Sequence, residues 1–252
     1  MTPAPDERLR ALVDMSIELG RPENDYSILA EGNTSTQTSA DEFYVKASGF
    51  SLRGCTLDSF VACKLETTLA LLDDPHADLQ GSLDFLKVNP TDTRRPSVEV
   101  VLHALMLTVG GAKFVGHTHP SAINSILCSV NAQAIVSGRI FPDEVVLCGP
   151  ESVWVPYTDP GLPLARTVHA QVLRFIEKYD GMTPKVILMQ NHGLIALGQT
   201  AREVEQVTQM AVKAARIMLG TFAAGGPRYL SEADILHLWK RPDEIYRRAI
   251  LK

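Results

Sequence analysis

Three of the seven histidines in this chain occur where an imidazole could reach a reaction centre. His117 and His119 are one residue apart in KFVGHTH. On a strand of period two both rings project from one face, a spacing that can hold a single metal ion. Two polar side chains at a surface would give the same pattern, so a third ligand has to come from elsewhere. His192 is the best candidate, because Asn191-His192-Gly193 makes a tight turn between VILMQ and LIALG, where glycine permits a backbone that aims the ring inward. A hydrogen-bonded turn histidine is the plainer alternative. Glu99 is expected in the first turn of a helix, where the dipole favours a carboxylate. If these four converge, three imidazoles and one carboxylate leave a divalent ion either closed or with an exchangeable position. A carboxylate that departs on substrate arrival then becomes a base. Such a site could polarise a ketone. His103, one turn beyond Glu99, either supports the site or is hydrogen-bonded in the core. His76, His169 and His237 read as surface or loop residues.

Asn33, Thr34 and Ser35, with the turn Lys46-Ala47-Ser48-Gly49, supply an amide, hydroxyls, a cation and an approachable backbone. These are the materials of an anion pocket, and equally of two ordinary polar turns. Lys46 also raises the prospect of a Schiff base, but a metal would already do the electrophile's work.

The rest of the chain has to hold these groups in place. Its 252 residues, 45% hydrophobic and 21% charged, are those of an ordinary globular chain, with no repeat or linker, read as one α/β domain over 1–252. A formal charge of −5 leaves no footprint for nucleic acid or an anionic membrane. The N-terminus carries charges where a signal peptide needs an apolar stretch, and no apolar run is long enough for a membrane span. Four cysteines without a CxxC pair suit reduced thiols, and a cytoplasmic location is expected.

Helical spacing predicts helices from Pro5 to about Gly20, Leu57 to about Leu72, from Pro96-Ser97 to the Gly110-Gly111 stop, Pro120 to about Ser129, Leu164 to Tyr179 and Arg202 to Phe222, with a short one after Ser231. Strands are expected on either side of the polar turn after EGNTSTQTS, the second over Glu42 to Ala47. Further strands are expected at Lys113 to His119, Glu144 to Cys148, Ser152 to Tyr157, Val186 to Met189 and Leu194 to Leu197. The stretch from Leu72 to Arg95 reads as a surface loop.

Taken in order, GNTS (32–35), KASG (46–49), PSVEVVLH (96–103), GHTHP (116–120) and NHGLIALG (191–198) resemble the class II aldolase/adducin family, typified by fuculose-phosphate aldolase and ribulose-phosphate 4-epimerase. The resemblance implies a class II aldolase-like fold, a central, mainly antiparallel mixed sheet with helices on both faces. It implies that His117, His119 and His192 bind one divalent ion, Zn2+ or else Mn2+, Co2+ or Fe2+. Glu99 would then be a metal ligand at rest or the catalytic acid/base. Asn33, Ser48, Gly49 and Ser97 would hold a phosphate. Glutamate at position 99 is similar to the aldolases, whereas the epimerases carry aspartate. KASG replaces the usual TPSG or TGSG, and Val98 replaces a serine, so the pocket gains the Lys46 cation and loses a hydroxyl, which suits a carboxylate or a differently placed phosphate.

The activity so implied is a lyase that cleaves a ketose phosphate or related small anionic sugar derivative through a metal-stabilised enediolate. Epimerisation or decarboxylation of a sugar acid, and a non-catalytic adducin-like binding module, are the competing readings. KASGFSLRG and VPYTDPGLPLA are most similar to the aldolase portion of proteins in which this domain is fused to a short-chain dehydrogenase. The family also implies a homotetramer with sites at subunit boundaries. No tyrosine between His119 and Pro142 matches the proton donor that some members contribute from a neighbour; candidates lie in the C-terminal segment, where Tyr229 sits in GPRYLSE between two helices, with an ordinary packing residue as the plainer alternative.

Overall fold

The computed structural model describes residues 5–251. Its strands β1 (Asn33–Gln37), β2 (Glu42–Lys46), β3 (Phe60–Lys64), β4 (Phe114–Thr118), β5 (Val153–Val155), β6 (Val186–Met189) and β7 (Gly193–Gly198) form one sheet in the order β3-β2-β1-β4-β7-β6-β5. Neighbours are antiparallel except β5 and β6, which run parallel. The helices are α1 (Pro5–Leu19), α2 (Leu65–Ala70), α3 (Leu79–Leu86), α4 (Val100–Thr108), α5 (Ser121–Leu127), α6 (Ala132–Val136), α7 (Pro142–Cys148), α8 (Leu162–Lys178), α9 (Ala201–Thr221), α10 (Glu232–Lys240) and α11 (Pro242–Leu251).

Helices cover both faces because strands of period two bury both sides. Val115, Ile195 and Leu197 pack with α4 and α8, along with α2 and α3. Phe114, Leu194 and Ala196 pack with α1, α5 and α9. Among the described residues no helix is long and apolar enough to cross a membrane. The mixed, mainly antiparallel sheet between helical layers is the expected fold class.

Three local expectations need correcting. Leu57 to Leu72 is not one helix: a short 3-10 turn (Leu57–Ser59) leads into β3 and then α2. FVACK pairs along the open edge of β2, from Lys46↔Phe60 to Glu42↔Lys64, and that long-range pairing overrides a local helical pattern. Glu144 to Cys148 lies in α7 and not in a strand. Pro142 fits a first turn, Asp143 and Glu144 complement the dipole there, and the buried Val145 and Val146 reflect packing, not strand pairing. The loop before Arg95 contains α3, where the Asp78 side chain caps the Gln80 N–H and Leu79, Leu83 and Leu86 face the core.

The feature that positions the site is one row across the sheet: Asn33 pairs with His117, and His117 with Ile195. Directly opposed residues share a face, so Asn33 and His117 point to the side covered by α4. On the other face Ser16 of α1 meets Thr34, Oγ to Oγ1 at 2.6 Å. Glu99 stands just ahead of α4, in the N-cap position and not within its first turn.

Because α4 is the lid of this row, loosening it should cost stability. Leu105→Ala, at a site with no exposed surface, is expected to lower the unfolding free energy by about 2–5 kcal/mol. Urea denaturation followed by circular dichroism tests this, and an unchanged midpoint would contradict the packing described.

Candidate metal centre

Each histidine reaches the site by a different backbone device. His117 is the penultimate residue of β4. Its Nδ1 lies 2.9 Å from the Leu194 carbonyl, which can only accept, so the ring hydrogen is on Nδ1 and the Nε2 lone pair faces the cluster. His119 is the first residue past β4 and is fixed by its N–H donating to the Tyr26 carbonyl at 2.8 Å. His192 lies in the turn between β6 and β7, where its carbonyl accepts from Asn124 Nδ2 at 3.0 Å.

That turn corrects the expected role of glycine. The left-handed residue is Asn191, at φ 52°, a conformation asparagine tolerates. Gly193 is needed for space: a Cβ there would sit 2.6 Å from the Thr118 carbonyl oxygen and 2.7 Å from His119 Cδ2.

The three rings meet edge to face, with centroids 4.7 to 5.2 Å apart. One nitrogen from each lies within 4.8 Å of the others, and the His117 and His119 Nε2 atoms are 3.0 Å apart. Burial drives the His117 pKa down to about 3, with Glu99 opposing, and His119 is also lowered by burial. Neutral imidazoles are what a metal requires.

Glu99 completes the group. Its Oε2 is 3.4 Å from His117 Nε2 and its Oε1 is 3.4 Å from His192 Nε2. Burial opposes its ionisation, yet the polar surroundings, with His117 and the Asn33 amide closest, hold its carboxyl below the usual carboxylate range. Asn33 Nδ2 donates to Oε2 at 2.7 Å, while Oε1 is buried with no hydrogen-bond partner. An orphaned buried carboxylate oxygen facing convergent imidazole nitrogens fits a divalent cation, since an unpaired buried charge is costly.

The residues expected to form an anion pocket fall into two groups. Asn33 Nδ2 also donates to Ser97 Oγ at 3.1 Å, and Ser97 Oγ accepts the Glu99 N–H at 3.2 Å. The KASG turn lies alongside, with the Ser97 N–H donating to the Lys46 carbonyl and the Ser48 N–H to the Arg95 carbonyl. Ser48 and Gly49 are exposed, and Gly49, at φ 89°, has open space where a Cβ would stand. Lys46 departs from the expectation of a cation facing the anion. It is only 2% exposed, and its ammonium donates to the Phe50 carbonyl within the turn. Burial lowers its pKa, against the influence of Cys55 and Glu99.

Tyr229 is not near the histidines of its own chain in any described contact. Its hydroxyl donates to the Ile135 carbonyl at 2.9 Å. Two participants were not singled out beforehand. Glu31 has Oε1 3.9 Å from His119 Nδ1 and accepts the Ile28 N–H at 3.0 Å; its place two residues before Asn33 was the available signal. The Leu194 carbonyl that sets the His117 tautomer carries no side-chain signal.

Sequence and structure comparisons agree on the family. The sequence profile described as Class II Aldolase and Adducin N-terminal domain matches residues 10–219. This chain belongs to the class II aldolase/adducin family. It is 30% identical over 187 residues to the "Uncharacterized oxidoreductase YuxG" of Bacillus subtilis, covering 70% of this chain and 24% of that protein. The chain thus spans about a quarter of that relative's length. It is 21% identical over 231 residues to the 3-oxo-tetronate 4-phosphate decarboxylase of Haemophilus influenzae, covering 90% of this chain and 96% of the relative. The solved N-terminal class II aldolase domain of a conserved protein from Thermoplasma acidophilum superposes with a TM-score of 0.64 at 26% identity, over 87% of this chain and 96% of that one. A solved L-fuculose 1-phosphate aldolase superposes with a TM-score of 0.69 at 15% identity, over 93% and 95% of the two chains, which shows the shared fold. Class II aldolases use a divalent metal, and the histidine triad here has the donor set to hold one.

The tight approach at Gly193 gives a direct test. Gly193→Ala forces the turn away from the Thr118 carbonyl and the His119 ring, so it should weaken divalent-ion affinity by about tenfold or more while leaving the circular dichroism spectrum intact. Calorimetric titration of the metal-stripped protein measures this, and native affinity would refute the steric account.

Proposed function

We propose that this protein is a metal-dependent carbon–carbon lyase acting on a small anionic sugar derivative. The observation that carries the reading is the convergence of three imidazole nitrogens on a buried glutamate whose Oε1 has no partner. His117, His119 and His192 would hold the ion, and three nitrogens with one carboxylate suit Zn2+, with Mn2+, Co2+ and Fe2+ as alternatives. When bound, the ion supplies Lewis-acid stabilisation of the negative charge that develops as the bond breaks.

The chain's own groups supply the rest. Glu99 Oε1 is the atom placed to take and return a proton, because Oε2 is engaged by Asn33. Ser97, Ser48 and the open backbone at Gly49 bind the anionic end together with Asn33. Lys46 contributes from beneath, by fixing the Phe50 carbonyl inside the turn and adding positive potential through a poorly screened interior. A second proton donor would come from a neighbouring subunit of a homotetramer in the cytoplasm. A Tyr229 from such a neighbour would first have to release its own Ile135 carbonyl.

Decarboxylation is the second reading, favoured by the Haemophilus influenzae relative matched over 96% of its length. Loss of carbon dioxide from a 2-hydroxy-3-keto acid leaves the same kind of electron-rich enediolate as aldol cleavage, so one site can serve either. Purified protein loaded with each candidate ion should be offered a ketose phosphate and a 3-keto acid. Metal-dependent aldehyde release supports the lyase. Carbon dioxide release replaces it with the decarboxylase. Neither product with any ion would favour a binding module.

Glu99→Gln isolates the proton-transfer role. It keeps the shape and the three nitrogen ligands, so it should retain metal by elemental analysis yet lose on the order of a hundredfold or more in turnover. Near-normal turnover would remove Glu99 as the acid/base.

A further inference from the structure

The polar row on the inner face of β1 extends one layer behind the site, to a histidine that makes no described contact with the imidazole cluster and meets the site through Asn33. His103 is buried on α4. Its Nε2 is hydrogen-bonded to Asn33 Oδ1, and its Nδ1 is 2.7 Å from Ser35 Oγ. Asn33 Nδ2 lies 2.7 Å from Glu99 Oε2 and 3.1 Å from Ser97 Oγ.

These contacts admit one order of hydrogens. An ionised carboxylate only accepts, so the Asn33 NH2 faces Glu99 and the amide carbonyl faces His103. That carbonyl also only accepts, so His103 carries its hydrogen on Nε2. Burial, reinforced by the Lys46 charge, outweighs Glu99 and lowers the His103 pKa to about 4. The ring is therefore neutral at pH 7, its Nδ1 has a lone pair, and the Ser35 hydroxyl donates to it.

We propose that His103 is a positioning residue that acts through Asn33, its Nε2–H anchoring the amide carbonyl so that the amide NH2 is held toward Glu99. The two ends of an amide have nearly the same shape, so packing alone does not choose between them. Turned over, Asn33 would set a carbonyl oxygen against the Glu99 carboxylate in a buried site, where like partial charges repel with little screening. The His103 donor removes that alternative. It also decides which carboxylate oxygen stays available: Oε2 is committed to Asn33, and Oε1 is left free beside His192. The catalytic consequence rests on the lyase or decarboxylase reading, whereas the order of hydrogens does not.

Isotope labelling of the histidine ring nitrogens in the full-length wild-type protein, read by long-range proton–nitrogen NMR around neutral pH, tests that order directly. A neutral His103 ring with hydrogen on Nε2 is expected; the other tautomer, or a protonated ring, would overturn the proposal. Kinetics test the consequence. His103→Gln can still donate toward Asn33 and should recover most of kcat. His103→Leu should lower kcat on the order of tenfold, with little change in KM and in metal content. Equal losses in the two variants would reduce His103 to a packing residue. If the leucine variant fails to fold, or if the wild type turns over no substrate, the tautomer measurement still decides the proposal, and the second case counts against the function alone.

Discussion

A carboxylate buried at the entrance to α4 is the constraint around which this structure is arranged. Glu99 is 6% exposed, and an ionised group at that depth costs several kcal/mol unless its surroundings compensate. The surroundings do so unevenly. Asn33 satisfies Oε2, and Oε1 is left facing His192. An interior designed for stability alone would have paired both oxygens or replaced the residue with an apolar one. The imbalance makes the site receptive to a cation, and the three imidazoles gather on that side.

The sheet register is what makes this possible. Asn33, His117 and Ile195 share one row across three strands, and a slip of one residue would turn Asn33 or His117 to the opposite face. The long-range pairing therefore sets the chemistry as well as the packing. Gly193 adds the close approach that seats His192 against the end of β4, and Leu194, one residue on, sets the His117 tautomer through its carbonyl.

The side proposed to meet an anion follows a different logic. Charge there is buried behind the turn, at Lys46, while the surface that an anion would meet is the backbone and hydroxyls of Ser48 and Gly49. A cation held this way shapes the potential of a pocket without offering a flexible side chain to it. As proposed, such a pocket would accept a phosphate or a carboxylate alike.

The motif residues were legible because their chemistry is local. The one-residue spacing of His117 and His119, the NHG turn and the placement of Glu99 beside a helix start are properties of short segments, and so are the long helices α1, α8 and α9, whose apolar spacing repeats over several turns. The errors lie where short apolar runs fit either element. FVACK became β3 because β2 had an unpaired edge, and EVVLC became α7 because Pro142 and the acidic residues after it had already set a helical start. The sequence by itself determined which groups could do chemistry and that a helix-covered sheet would carry them. Tertiary structure alone decided that Lys46 turns inward to the Phe50 carbonyl, that His103 reaches Asn33 and Ser35, and that one oxygen of Glu99 is left without a partner. Such outcomes depend on which distant backbone and side-chain atoms arrive within hydrogen-bonding distance, and no local pattern encodes that.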